Sequence, residues 1–312
     1  MAEAMALFRL GRFDEGWQRY LWRQDRNALR ERYPRLAMDP AALRGAGPLR
    51  IAVHSEQGIG DELFFLRFAP ALRAKGHRLL LRTNPKMLPL LRTRADLFAE
   101  IAAIDEPVED CDVELQASDL ALASGQSFAP SLRFVPDQAR QAALASRLAE
   151  FGPAPYIGVT WQAGLSGDEA KKWGGAHWSK RIPPAILGEM LRGVRGTPVI
   201  LQRNPAPADV AALSASAGRA VIDMSAVNDD LLDAIALLAL LDDYVGVSNT
   251  NMHLLAAIEA RTARVVLPLP AEWRWGMSGE SPWFPGFRVY RAAQHDKVDD
   301  ALAELQRDFV GR

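Results

Sequence analysis

The chain opens on two helical periods. Apolar residues at 2–10, then Phe13, Trp17, Tyr20 and Leu21, recur at spacings of three and four. They predict a short helix over 2–10, a break at Gly11 and a second helix over 13–32. Such a pair cannot bury its apolar face alone, so it is expected to pack on the following domain or to continue an upstream repeat. Pro34, Pro40 and residues 45–48 read as a linker. From residue 49 the period changes to a strand over 49–54, a glycine-bearing turn over 56–61, a helix over 62–74, a strand over 77–82, a helix over 85–92 and a weaker strand at 113–115. The proline-flanked stretch 132–155 reads as a connecting helix. Alternation then restarts, with strands at 156–161, 198–201, 220–223, 243–247 and 264–267, helices such as 186–192 and 231–241, and an amphipathic closing helix over 298–309.

Strands alternating with helices imply parallel sheets covered on both faces. The expected class is therefore α/β, with two doubly wound halves whose ligand-facing loops lie at the carboxyl ends of their strands. A cleft between the halves is the expected site. The expected boundaries are 1–46 for the helical segment and linker, 47–150 for the first half and 151–312 for the second. At ~150 residues per domain, 312 residues accommodate this plan.

Composition narrows the function. A formal charge of −1 argues against the broad positive field that non-specific nucleic-acid binding needs. The longest apolar run, 234–241, falls short of the ~20 residues of a spanning helix. The first residues carry Glu3 and then Arg9 and Arg12, with no basic leader or cleavage site, so a cytoplasmic protein is expected. The single cysteine, Cys111, excludes an internal disulfide and a cysteine-based metal site. Histidines at 54, 77, 177, 253 and 295 show no metal-ligand spacing, and no Gly-x-Ser-x-Gly elbow is present. Metalloenzyme and hydrolase readings drop out.

Four constellations carry candidate chemistry. The first is Glu56-Gln57-Gly58-Ile59-Gly60-Asp61-Glu62, where a strand gives way to a helix. Its glycines permit close backbone approach. In a dinucleotide fingerprint the third small residue would fall at Leu63, which blocks tight helix–strand packing, so the nicotinamide reading is weak. Asp61 is either a cleft-facing carboxylate or a helix cap. The second is Ser248-Asn249-Thr250-Asn251-Met252-His253, where short polar side chains meet a helix N-terminus that suits phosphate, or simply a polar cap.

The third joins Trp161 and Gly164 to Lys171, Lys172, Trp173, His177, Trp178, Lys180 and Arg181, with Gln202 and Arg203 ending the next strand. These cations suit a diphosphate or are merely solvated. The fourth is Trp273-Arg274-Trp275-Gly276 followed by 281–285, Arg288, Tyr290 and Arg291, which suits bases, sugars or plain packing.

Taken in order, these segments resemble the tetratricopeptide-linked glycosyltransferases related to family nine, the heptosyltransferase-like group of GT-B fold. The resemblance is carried by Gly11 to Trp17 with Tyr20 and Arg23, then Glu56 to Asp61, Trp161 with Gly164, Leu201-Gln202, His253-Leu254, and Trp273 to Trp283. It implies two Rossmann-like domains facing across a cleft after a tetratricopeptide-like segment. The first half would present a hydroxyl acceptor (glycan, lipid-linked saccharide or protein) along the loop Glu56, Gln57, Gly58 and Gly60. The second would bind a nucleotide-diphosphate sugar through Trp161, Gly164, Lys180, Arg181, Gln202, Arg203, Ser248, Asn249, Thr250, Asn251, His253 and Trp273. Asp61 matches the family's catalytic carboxylate and would take the acceptor proton in an inverting transfer that needs no metal and no cofactor beyond the donor. Peripheral membrane contact stays open. One departure stands out: the family usually carries aspartate where this chain has Ser248, removing a carboxylate that in relatives would contact sugar hydroxyls. A catalytically inactive scaffold of the same fold, docking a partner through its helical N-terminus, is the alternative.

Overall fold

The computed structural model describes residues 1–163, 180–258, 262–269, 272–295 and 298–310. Two compact units appear, Met1–Phe134 and Val135–Arg312.

In the first unit a four-stranded parallel sheet is built from β1 (Arg50–His54), β2 (Arg78–Thr83), β3 (Phe98–Ala103) and β4 (Val113–Gln116), in the order β3-β2-β1-β4. The direction of succession reverses between β1 and β4. A parallel sheet opens a crevice at the carboxyl ends of its strands at such a reversal. The strand β3 was not expected, because FAEIAA pairs an alternation-free pattern with alanines and an exposed Glu100. It is an edge strand, held through β2 alone.

The helices differ from expectation at their breaks. The helix expected over 13–32 is three pieces: Phe13–Tyr20, a 3₁₀ turn Leu21–Arg23, and Arg26–Arg32. Asp25 starts the last piece by accepting from the backbone N–H of Asn27 (2.9 Å) and Ala28 (3.4 Å). The helix expected over 62–74 begins earlier and divides into Ile59–Leu66 and Ala69–Ala74. Pro70 has no N–H to offer the carbonyl of Leu66, which ends the first piece.

The N-terminal helices pack on this sheet unit. Gly16 lets Ala2–Arg9 and Phe13–Tyr20 approach closely, since a Cβ there would lie 2.4 Å from the Phe8 ring. Trp17 sits against Phe8 (4.5 Å between centroids) and meets Phe65 and Phe68 edge-on at 6.2 and 5.7 Å. Its indole N–H donates to the carbonyl of Ser127 at 3.0 Å. The expected linker also joins the sheet: Leu36 bridges Glu114 in parallel, so this stretch adds to β4.

In the second unit β5 (Tyr156–Val159), β8 (Thr197–Ile200), β9 (Ile222–Asp223), β10 (Asp243–Val247), β11 (Ala263–Leu269) and β12 (Arg288–His295) form a parallel sheet in the order β12-β11-β10-β5-β8-β9. Counted along the chain this is 6-5-4-1-2-3, the Rossmann order, with its reversal between β5 and β10. A short antiparallel ladder of β6 (Gln162–Ala163) and β7 (Lys180–Arg181) lies beyond the end of β5.

Beside that ladder, the sequence pattern hides β12, whose arginines disguise a strand, and the helix Pro207–Ala217, an alanine-rich segment with no apolar stripe. That helix packs so closely on Pro184–Leu191 that a Cβ at Gly188 would lie 2.5 Å from the carbonyl oxygen of Leu213. The helix Leu231–Leu238 stops three residues short of expectation. Gln138–Phe151, within the expected connector, joins it through Arg140, which donates to Asp230 (2.7 Å) and Asp233 (2.5 Å).

The closing helix Asp299–Val310 is fixed by Asp308, which accepts from Arg264 and Arg288 at 2.5 Å and from the Tyr290 hydroxyl. Burial works against the Asp308 charge, but these donors outweigh it and hold the carboxyl far below the ordinary carboxylate range. Tyr290 is pushed up to about 12 by its own burial and by Asp308. Among the described residues, no helix is long and apolar enough to cross a membrane.

Candidate functional site

In the first unit the turn after β1 stands at the reversal of strand order, beside the turn after β4. Gly58 is extended (φ −88°, ψ 166°) and caps the helix Ile59–Leu66, which puts Asp61 at the third helical position, one turn further in than expected. The Asp61 carboxylate reaches back to the N–H of Gly58 at 3.4 Å, so it contributes to the cap while remaining half-buried. Both readings of Asp61 therefore stay compatible with its place at the carboxyl end of β1.

The rest of the turn is held by buried charge. Glu56 has a side chain 6 % exposed, and both its oxygens accept from Arg23 (2.7 and 2.9 Å to Nη2). It also accepts from the N–H of Ser118 at 3.0 Å and from the Ser118 hydroxyl. Arg23 continues to Gln116 (2.7 Å) and Asp119 (3.5 Å), while Arg26 donates to both oxygens of Asp119 at 3.1 Å. Two guanidinium groups from the N-terminal segment thus balance two carboxylates from the turns after β1 and β4. Burial disfavours the Arg23 charge, but Glu56 and Asp119 outweigh it and raise its pKa. Asp119, fully buried, is raised by desolvation in spite of its arginines. Gln57 takes a left-handed φ of 64° and donates its amide to the Tyr20 hydroxyl at 3.0 Å. The loop Glu56 to Gly60 is consequently built jointly by the sheet and the N-terminal helices.

Glu62 closes the first constellation, directly after Asp61. Its side chain is buried and accepts from Ser55 at 2.5 Å and from the Thr83 hydroxyl, tying the helix to the ends of β1 and β2. Burial raises its pKa, partly offset by these hydroxyls. A carboxyl whose pKa is higher folded than unfolded binds its proton more tightly in the native state, so stability falls as pH rises from the ordinary value of 4.5 through the raised one. Glu62→Gln, which keeps the contacts without a titrating proton, is expected to remove that component of the slope. Chemical denaturation across pH 4 to 8 measures it, and an unchanged slope would reject a proton-linked Glu62.

In the second unit the candidates gather at the ends of β5, β8, β10 and β11. Gln202 clamps two loops: its carbonyl oxygen accepts from the N–H of Trp161 and of Gln162, each at 2.9 Å, and its amide donates to the carbonyl of Gln162 at 3.2 Å. Trp161 is buried and donates its indole N–H to Asp209 at 3.3 Å. Arg181 donates to Gln162 (2.6 Å) and Asp209 (2.8 Å), while Arg203 is exposed. Asn249 is the cap of the helix Thr250–Ala257, accepting from Met252 N–H at 3.4 Å and donating to Thr160 at 2.8 Å. Thr160 and Tyr244 share a hydrogen bond of 2.9 Å, and burial raises the Tyr244 pKa. Asn251 donates to the carbonyl of Leu201 at 3.4 Å. This polar set fixes where the first turn of that helix points.

Ser248 donates to Glu272 at 3.0 Å and accepts from the indole N–H of Trp275, also at 3.0 Å. Glu272 in turn pairs with Lys180. Sequence reading missed Glu272, whose only signal was its place before Trp273-Arg274-Trp275. His253 packs edge-on against Phe284 at 5.2 Å. Trp273 is 6 % exposed, edge-on to Trp283 at 5.9 Å and beneath the Arg274 guanidinium at 4.8 Å, so its ring serves packing. Gly164, Lys171, Lys172, Trp173, His177 and Trp178 lie outside the described residues. Among the described residues no three His, Cys, Asp or Glu side chains approach closely enough to hold a metal ion.

No model of a known protein family matches the chain. A curated relative, Protein FlbA of Caulobacter vibrioides, is 26 % identical over 349 residues, covering 99 % of this chain and 55 % of its own length. The chain thus spans about half the relative it matches. A solved glycosyl transferase family 9 structure from Veillonella parvula superposes with a TM-score of 0.59 at 9 % identity, covering 85 % of this chain and 96 % of that one. The ADP-heptose lps heptosyltransferase II of E. coli gives 0.57 at 14 % identity, over 84 % and 99 %. These likenesses show the fold, an α/β architecture of parallel sheets shared with family 9 glycosyltransferases.

Proposed function

We propose that the chain is an inverting, metal-independent glycosyltransferase of GT-B type that moves a sugar from a nucleotide-diphosphate sugar to a hydroxyl acceptor, whether glycan, lipid-linked saccharide or protein. The observation that carries this reading is the position of Asp61, in the first turn of the helix that follows β1, on a fold shared with family 9 glycosyltransferases. In this reading the first half, with its tetratricopeptide-like helices, presents the acceptor and the second half holds the donor. Asp61 takes the acceptor proton as that oxygen bonds to the anomeric carbon. The bond from that carbon to the diphosphate oxygen breaks, and the nucleoside diphosphate leaves.

The leaving charge is matched by Lys180, Arg181 and Arg203 and by the N-terminus of Thr250–Ala257, whose orientation Asn249 and Thr160 fix. Gln202 and Trp161 shape the loops around the donor. We place the protein in the cytoplasm, where nucleotide sugars are its substrates, with no further cofactor.

Differential scanning with ADP, UDP and GDP and their sugar conjugates tests the reading. A ligand at a hundred times its Kd should stabilise the fold by about 2.7 kcal/mol and raise Tm accordingly. If none of the panel shifts Tm, the donor-binding reading fails and the scaffold alternative, with the N-terminal helices as the docking element, takes its place.

A further inference from the structure

Glu272 is unlike the other charged groups at the carboxyl end of the second sheet. Arg181 is tied to Asp209 and Gln162, and Gln202 is engaged with main chain on both of its polar atoms. The Glu272 carboxylate, by contrast, has Oε2 on the Ser248 hydroxyl at 3.0 Å and Oε1 against the Lys180 ammonium, where that oxygen is buried although the side chain as a whole is 22 % exposed. An ionised carboxylate has about four lone-pair sites, of which these partners take two. Ser248 gives its single hydroxyl proton to Glu272 and accepts from Trp275 at 3.0 Å, and is only 3 % exposed. The hydroxyl therefore orients the carboxylate. Two further features suit Glu272 to a donor site. Ser248 directly follows β10, one of the two strands at the reversal of order, and Lys180 is a cation that a diphosphate would attract.

We propose that Glu272 is a specificity-determining residue of the donor site, accepting hydrogen bonds from hydroxyl groups of the transferred sugar, with Ser248 and Lys180 as the residues that position it. The inference rests on the donor-binding reading above. It deepens that reading by naming a polyhydroxylated sugar as the part of the donor that Glu272 recognises. In this proposal Lys180 turns toward the arriving diphosphate, and only that movement uncovers the buried Glu272 Oε1 for a neighbouring hydroxyl. Sugar recognition and diphosphate binding are then coupled through one ion pair.

Isothermal titration separates this from a purely structural pair. ADP, UDP and GDP, and then ADP-heptose, UDP-N-acetylglucosamine and GDP-mannose, are titrated into the unmodified chain and into Glu272→Gln. For the nucleotide that binds, the variant should weaken the sugar conjugate about 10- to 100-fold, the range for a hydrogen bond to a charged group. The free nucleoside diphosphate should change by less than about threefold or bind more tightly, because Lys180 is released. As a second measurement on the unmodified chain, conjugates with single hydroxyls replaced by fluorine should include one that loses the same factor, and Glu272→Gln should no longer distinguish it. Equal loss of diphosphate and conjugate, or no loss of either, overturns the proposal while leaving donor binding intact. An unmodified chain that binds no nucleotide overturns the donor-site reading and this inference with it.

Discussion

Arg23→Ala is expected to cost about 3–5 kcal/mol of stability in the first unit, because it removes one partner of a buried ion network and leaves the others without compensation. The Arg23 side chain is 1 % exposed, and its neighbours Glu56 and Asp119 are 6 % and 0 % exposed. Arg26 continues to neutralise Asp119, but among the described residues Glu56 keeps only Ser118 and a distant amide of Gln24 at 3.5 Å. A buried carboxylate with no cation is the dominant cost. Removing that charge in the same background, Arg23→Ala with Glu56→Gln, should therefore recover part of the loss. Arg23→Lys should not, since a single ammonium cannot reproduce the forked contact to both oxygens of Glu56. The urea midpoint measures each variant, and an unchanged m-value confirms that stability alone moved. A shift below about 0.5 kcal/mol, the scale of an ordinary surface substitution, would show that water screens the network. The same experiment tests whether the N-terminal helices and the turn after β1 unfold as one body, as the shared charges require.

How much of this was legible in the sequence follows from what each segment had to bury. The strands β1, β2, β4, β5, β8, β10 and β11 stand out because β-branched or leucine-rich runs fill a sheet interior, as in Ile51 to Val53 or Val245 to Val247. The strands β3 and β12 escape because they carry polar residues that end in specific pairs, Arg82 with Glu100 and Arg288 with Asp308. The candidate site was legible to the extent that it sits on strand-to-helix turns, which periodicity locates. Partnership is what the sequence conceals. Nothing in Glu56 announced that Arg23, thirty-three positions earlier, fixes it, and nothing in Ser248 announced Glu272. The tryptophans of 273–283 illustrate the opposite error, for aromatic residues near polar ones read equally as a ligand platform and as a core. Here Trp273, Trp275 and Trp283 are all buried.

Asp61→Asn should lower kcat by about 10² to 10⁴, the usual contribution of a positioned proton acceptor, while leaving donor affinity unchanged. The substitution preserves size and an oxygen able to accept from the N–H of Gly58, now 3.4 Å away, so the start of the helix Ile59–Leu66 is retained. What it loses is basicity. A residue whose only duty is capping behaves differently: truncation costs about 1 kcal/mol of stability and leaves turnover untouched. Asp61→Asn and Asp61→Ala measured side by side therefore separate the two duties. A catalytic Asp61 gives a fall in kcat for both variants, with a loss of Tm confined to the alanine. A capping Asp61 gives full transfer rates for both and a lower Tm for the alanine alone. Full turnover in Asp61→Asn would remove the proton acceptor from the proposed mechanism. The neighbouring Glu62, held by Ser55 and Thr83 away from solvent, is not placed to replace it.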